Sequence, residues 1–317
     1  MKAVFLDRNT FSATLDLPAP PGVSDWQVYD ATRGYAEIVA RAENADIVLS
    51  NKVVLDQAVI AALPRLKLVQ VCATGVNNVD VQACAARGIA VQNVAGYSTE
   101  TVPEHTWMGI LAAMRALKHY HASVEDGSWQ ADGRFTLNDV PVLDVAGKTL
   151  AIVGAGSLGQ RVGNIAEAFG MRVLWAEHPE REARDARYTR FADALAAADI
   201  VALHCPLTQE TRHMINAHCI ALMTRKPLLV NMARGAVVDG KAVADAVESG
   251  ALLGYVCDVF AEEPPAADDP LLRIAGHPRV IYTPHNAWAS EGAQRRLWQL
   301  LSERVAAFIA AANGGQA

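Results

Sequence analysis

Short apolar runs rich in β-branched residues recur along the chain, each followed by an Ala- and Leu-rich stretch with helical spacing. The first series reads "KAVFL", "ADIVLS", "LKLVQVC" and "GIAVQNV"; the second reads "KTLAIVGAG", "MRVLWAE", "ADIVALHC", "PLLVNMA", "LLGYVCDVF" and "RVIYTPH". Strands that alternate with helical segments need crossover connections, which are right-handed and produce parallel sheets. Two such series imply two doubly wound α/β units, and 317 residues exceed one comfortable core.

Composition narrows the function classes. A chain that is 51% hydrophobic and 20% charged is globular, and a formal charge of -6 argues against nucleic acid as a partner. No uncharged apolar stretch reaches the length of a membrane span, and "MKAVFLDRN" meets a charge too early for a signal peptide, so a cytoplasmic protein with no membrane partner is expected. The five cysteines show no paired short spacing and read as reduced core residues. His119 and His121, two apart in a helical stretch, fall on different faces, and no metal is expected.

Between the two series, "STETVPEHTWMGILAAMRALKHYHASVEDG" reads as one long connecting helix, and "SWQADGRFTLNDVPVLDVAGK" as a loop with a functional or oligomer-contact role. The helical "EGAQRRLWQLLSERVAAFIAA" is expected to pack back on the first unit, and "NGGQA" to fray.

Gly154, Gly156 and Gly159 form G-x-G-x-x-G after an apolar strand and before a helical run. Glycines at these positions permit a tight turn, close approach to a pyrophosphate and close helix packing, while the helix N-terminus offers open N–H groups. The motif alone is weak. It gains weight from Glu177, which ends the next strand 18 residues beyond Gly159, near the ~20 at which a carboxylate meets the ribose. An acid there favours NAD and makes NADP the less favoured cofactor, although Arg181 and Arg184 nearby soften the preference. Taken singly, His285 reads first as a satisfied histidine, Arg234 as a surface ion-pair partner and Glu262 and Glu263 as solvated loop acids.

Five ordered motifs change that weighting. "CATGVNNVD" at 72–80, "GAGSLG", "HCPLTQETRHMI", the stretch from "VNMARG" to "CDVFAEEPP", and "IYTPHNAW" together resemble the D-isomer-specific 2-hydroxyacid dehydrogenase family over nearly the whole chain. The opening "MKAVFLDR", Asn51-Lys52 and "ATGVNNVD" are most similar to its glycerate dehydrogenase (hydroxypyruvate reductase) branch. The resemblance implies a Rossmann nucleotide-binding domain at 99–289 inserted into a flavodoxin-like substrate-binding domain at 1–98 and 290–317. It implies a catalytic set of Arg234, Glu263 and His285, in which Arg234 grips the substrate carboxylate, Glu263 orients His285, and His285 exchanges the proton that accompanies hydride transfer.

The softer implications concern ligand contacts. Asn51, Lys52, Thr74, Gly75, Val76 and Asn77 would meet the substrate, with a plain turn at 74–77 and an exposed Lys52 as the alternatives. Ser157 and Leu158 would touch the pyrophosphate; Cys205, Pro206 and Thr211 would line the adenosine pocket. Ala233 would approach the nicotinamide, Asp258 would bond its carboxamide, and Met232 and Ala287 would be further cofactor contacts. A homodimer is expected from the family and from Trp107, Trp129 and Phe135, and domain closure is expected with hinges near Tyr97–Thr101 and Ala287–Gly292. The reading is then an NAD(H)-dependent reductase of hydroxypyruvate or glyoxylate. The alternatives are a non-catalytic NAD-sensing protein and a dehydrogenase of formate, phosphite or a bulkier 2-oxoacid.

Overall fold

The computed structural model describes residues 1–314. Among the described residues twelve strands form two wholly parallel sheets, and the chain divides after Ser98 and again after Trp288 into two compact units. The second break falls one residue before the expected one.

The unit made of Met1–Ser98 and the chain from Ala289 onward holds β1 (Lys2–Phe5), β2 (Asp25–Val28), β3 (Ile47–Ser50), β4 (Leu68–Val71) and β5 (Ala90–Gln92) in the order β2-β1-β3-β4-β5. This is the flavodoxin-like order. β3 and β4 are buried at every residue, so they read as continuous apolar runs. β2 was not legible in the sequence because it is an edge strand: "DWQV" is exposed at both ends and shows no apolar alternation.

One face of this sheet packs Val4, Val48 and Val69 against Ile38, Val59 and Ile60 of the crossover helices. On the other face Phe5 meets Phe11, Trp26 and Trp298, with Trp298 at centroid distances of 5.6 Å from Phe5, 5.9 Å from Phe11 and 6.2 Å from Trp26. Trp298 belongs to the terminal helix Glu291–Gly314, and its indole N–H donates to Pro18 O at 3.2 Å. The last helix therefore returns to the first unit, as expected. Asn313 and Gly314 close that helix, while the remainder of the "NGGQA" expectation, 315–317, lies outside the described residues.

The second unit, Thr99–Trp288, holds β6 (Thr149–Val153), β7 (Arg172–Ala176), β8 (Tyr188–Thr189), β9 (Ile200–Leu203), β10 (Leu228–Asn231), β11 (Gly254–Cys257) and β12 (Val280–Tyr282). Their order, β12-β11-β10-β9-β6-β7-β8, is the dinucleotide-binding order extended by one strand, with its reversal between β6 and β9. Residues alternate between two cores: Leu150 and Ile152 face the helices at 101–114 and 157–168, whereas Ala151 and Val153 face those at 191–197 and 240–248.

The connecting segment is not one helix. It breaks into Thr101–Met114 and Leu117–Glu125 at Ala116, which is fully buried with φ +50°, and a short helix, Ser128–Asp132, lies in the stretch expected to be loop. Trp107 is also corrected: it is not an unburied contact residue but a core side chain, 4% exposed, packed on Phe169 and donating to Val162 O. The five cysteines are unpaired, four of them buried.

Trp298→Ala removes the ring on which Phe5, Phe11 and Trp26 converge. The expected loss is about 3–5 kcal/mol, read from urea unfolding, and a loss below about 1 kcal/mol would show that this cluster does not anchor the helix.

Candidate active site

All strands of the second sheet run in one direction, so the segments that follow them emerge at one edge. The glycine loop follows β6, Glu177 follows β7, Cys205 and Pro206 follow β9, Arg234 follows β10, Glu263 follows β11 and His285 follows β12. In open parallel sheets ligands bind at this carboxyl edge, at the point where the strand order reverses.

The glycine loop is shaped for a close approach. Gly154 has φ +108°, and a Cβ there would lie 2.6 Å from the backbone carbon of His204; a Cβ at Gly159 would lie 2.0 Å from Gly154 O. Neither position admits a side chain, and the turn delivers the N-terminus of the helix Ser157–Ala168 with Gly156 as its cap. The cradle fits a pyrophosphate, with Ser157 and Leu158 supplying first-turn amides. Behind the turn, burial pulls the His204 imidazole down to about 4, so the ring is neutral near pH 7.

Beside the loop a cavity of about 440 Å³ is lined by Gly156, Glu177, Arg184, Tyr188, Pro206 and Thr211, among others. Thr211 Oγ1 donates to Pro206 O at 2.7 Å and accepts from Thr208 N at 2.7 Å, which closes the turn carrying that wall. Cys205 is buried, and burial pushes its thiol up to about 11. Glu177 is 1% exposed; Arg184 grips it with Nε at 2.6 Å and Nη2 at 2.5 Å. That fork holds the Glu177 carboxyl down at about 2.

At the other end of the edge, His285 Nδ1 lies 2.6 Å from Glu263 Oε2, and Glu263 Oε1 accepts from Phe260 N at 3.0 Å. The acid is thus held by its own loop. With Nδ1–H donating to Glu263, Nε2 is the nitrogen left to carry or take a substrate proton. His285 has φ +52°, a left-handed conformation costly for a non-glycine residue.

Asp258 explains how that backbone is kept. It is 2% exposed; its Oδ1 accepts from Thr283 Oγ1 at 2.5 Å and Asn286 N at 3.0 Å, and its Oδ2 accepts from Ala287 N at 2.9 Å. The carboxylate expected to reach a carboxamide therefore binds the loop on both sides of His285. His105 extends this network through Nε2, 2.9 Å from Thr283 Oγ1, and Thr101 Oγ1 donates to Ala287 O at 3.1 Å. Neither residue was foreseen as part of this network, because both lie on a helix more than 175 positions earlier in the chain.

Arg234 sits in a turn fixed by Asn231, also unforeseen. The fully buried Asn231 accepts from Ala233 N at 3.1 Å and donates to Arg234 O at 3.0 Å. Arg234 Nη1 donates to Ala233 O at 2.8 Å, and among the described residues no carboxylate pairs with its guanidinium. Met232 and Ala233 are buried beside it.

In the first unit the expected substrate residues again follow neighbouring strands. Asn51 and Lys52 follow β3, and Thr74, Gly75, Val76 and Asn77 follow β4. Asp7, just past β1, is 4% exposed and accepts from the amides of Asn51 at 2.9 Å, Lys52 at 2.6 Å and Val53 at 3.1 Å. Burial pushes the Asp7 carboxyl up although those three amides oppose it. Thr74 is tied at both ends, its hydroxyl donating to Val94 O at 3.0 Å and its carbonyl accepting from Asn93 Nδ2 at 2.6 Å. The Gly75 and Val76 amides donate to no acceptor among the described residues, and Asn51 Nδ2 is buried without a partner among them.

The chain matches the family model for D-isomer specific 2-hydroxyacid dehydrogenase, NAD binding domain, over residues 107–287. It is 39% identical over 310 residues to glycerate dehydrogenase of Methylorubrum extorquens, covering 98% of this chain and 96% of the relative. It is 33% identical over 315 residues to hydroxypyruvate reductase of Blautia hydrogenotrophica, covering 98% and 97%. Among solved structures, D-lactate dehydrogenase from Aquifex aeolicus, complexed with NAD and lactic acid, superposes with a TM-score of 0.81 at 27% identity, covering 98% of this chain and 96% of that one.

Because the Glu177 carboxyl is held near 2 rather than its ordinary 4.5, the native state favours the ionised form. The stability it contributes is present above about pH 4.5 and is lost as pH falls towards 2. Arg184→Ala is expected to lose less stability than the parent over that interval in acid unfolding monitored by circular dichroism; an equal loss would remove the pair from the account.

Proposed function

This chain belongs to the D-isomer-specific 2-hydroxyacid dehydrogenase family and is an NAD-dependent oxidoreductase, and we propose that it reduces hydroxypyruvate and glyoxylate to D-glycerate and glycolate. The observation that carries the catalytic part is the 2.6 Å contact between His285 Nδ1 and Glu263, which leaves Nε2 for the substrate oxygen. The choice of substrate is supported by the names of the two relatives, glycerate dehydrogenase and hydroxypyruvate reductase.

Bound NADH supplies the hydride to the carbonyl carbon. His285 delivers a proton from Nε2 to the carbonyl oxygen, becoming neutral as the hydroxyl forms, and in the reverse direction takes it back. Glu263 stabilises the imidazolium and holds the ring's orientation. Arg234, which has no carboxylate partner among the described residues, grips the substrate carboxylate with its planar fork. In the first unit the open amides of Gly75 and Val76 are donors suited to a substrate oxygen, with Thr74, Asn77, Asn51 and Lys52 as the further substrate-binding residues.

The cofactor would be held by Gly154, Gly156, Ser157, Leu158 and Gly159 at the pyrophosphate and by Cys205, Pro206 and Thr211 at the adenosine. Met232, Ala233 and Ala287 would contribute to holding the cofactor beside Arg234 and His285. Asp258 acts mainly by keeping the His285 loop in place, with one Oδ2 position remaining for the carboxamide.

NADH consumption across a panel of small 2-oxoacids tests the reading. Hydroxypyruvate and glyoxylate are expected to give the highest kcat/KM, and NADH binding with no oxidation by any member would leave a binding protein in place of an enzyme. In the same assay His285→Ala should lower kcat by about 100-fold or more with NADH affinity retained. Arg234→Lys should raise KM and lower kcat, because an ammonium lacks the fork. Full activity in either variant rejects its role.

The chain is further proposed to work in the cytoplasm, where its unpaired cysteines remain reduced, and as a homodimer. Leu117, Val124, Trp129, Phe135 and Val142 are exposed within one segment, Phe135 at 96%. Sedimentation equilibrium at micromolar concentration should give twice the chain mass; a single-chain mass rejects the dimer. No helix among the described residues is long and apolar enough to cross a membrane.

A further inference from the structure

The ribose end of the nucleotide cavity presents a charge that the acid after β7 would not present by itself. A carboxylate offers about four lone-pair positions, and N–H groups of this chain meet all of them at Glu177. Oε1 accepts from His178 N at 2.9 Å and Arg184 Nη2 at 2.5 Å, and Oε2 accepts from Arg184 N at 3.2 Å and Arg184 Nε at 2.6 Å. The Glu177 side chain has no exposed surface, whereas that of Arg184 is 56% exposed. The group met by an arriving ligand is therefore the guanidinium.

Arg184 is held in that position from a second side. Its guanidinium lies 4.2 Å from the centroid of the Tyr188 ring, and Nη1 takes no part in the bonds to Glu177. Arg181, His178 and Glu210 line the same cavity, with a Glu210 carboxylate oxygen 3.3 Å from His178 Nε2.

An acid at this position excludes a 2′-phosphate through uncompensated negative charge, and it binds ribose hydroxyls through open lone pairs. Glu177 has neither, since its charge is matched by a bidentate partner and its oxygens are occupied. Planar, always-charged guanidinium groups suit phosphate oxygens. We propose that Arg184 is a specificity-determining residue that lets this enzyme use NADP(H) beside NAD(H), receiving the 2′-phosphate on the edge that Glu177 leaves open, with Arg181 alongside. NAD(H) keeps its hold through the glycine cradle and the adenosine wall. The inference rests on the reading of this cavity as the adenosine end of the dinucleotide site.

Calorimetric titration of the full chain with AMP and with adenosine 2′,5′-bisphosphate separates the 2′-phosphate from every other part of the cofactor. The parent protein is expected to bind the two within about tenfold of each other. In Arg184→Ala the bisphosphate should weaken relative to AMP by at least about tenfold, the scale of a lost charge-assisted contact, because the clamp is gone and the Glu177 charge is uncovered. The kcat/KM ratio for NADPH over NADH should fall in step. Arg184→Lys, which keeps the charge, should retain more bisphosphate affinity than the alanine variant, and circular dichroism checks that both fold. A parent preference for AMP beyond about tenfold, or a change smaller than that in Arg184→Ala, overturns the proposal. Both ligands lack nicotinamide and need no 2-oxoacid, so failure of the substrate panel alongside an intact shift would fall on the proposed reaction alone.

Discussion

Parallel pairing is the constraint from which the rest follows. A strand that must be re-entered in the same direction requires a crossover, and every carboxyl end then falls on the same edge of its sheet. In the second unit this aligns β12, β11 and β10 side by side, so His285, Glu263 and Arg234 leave neighbouring strands although 51 positions separate the first from the last in the chain. It also places the glycine loop where the strand order reverses. Loops that share an edge share an environment, and chemistry that needs several side chains at once can be assembled there without bending the core.

Alignment brings the loops together, but buried polar groups give them their shape. Asp258 holds the backbone at 286 and 287, Asn231 holds the Ala233–Arg234 turn, and Asp7 collects the amides of residues 51–53. Each is 4% exposed or less and is bonded to main chain beside a candidate ligand-contacting residue. A buried carboxylate or amide without partners would be costly, so these three groups and the loops they bind stabilise each other. The left-handed conformation at His285 persists because Asp258 anchors the residues next to it.

Much of the fold was legible because its signals are local. The apolar runs of β1, β3, β4 and β6 are buried on both faces and read without ambiguity, and the glycine spacing identifies the turn after β6. The edge strands β2 and β8 escaped because they lack an apolar run, being half-exposed in "DWQV" and only two residues long in "YT". The single long helix expected from 98 to 127 failed at Ala116, where alanine's high helix propensity argues for continuation but the buried backbone turns left-handed. Trp107 was misplaced for a related reason: whether a large ring lies inward depends on Phe169 and Val162, which belong to another element.

By itself the sequence determined the alternation of strand and helix, the doubly wound class, the glycine cradle, and which histidine, arginine and acids stand at strand ends. Periodicity, turn chemistry and motif spacing are properties of neighbouring residues, and they survive being read in one dimension. Only the tertiary structure decided which polar groups were already committed. Glu177 is occupied by Arg184, Asp258 by the loop around His285, and Asn231 by the Ala233–Arg234 turn. A carboxylate's function depends on the donors within about 3 Å of it, and in a folded chain those donors arrive from packing as well as from sequence order.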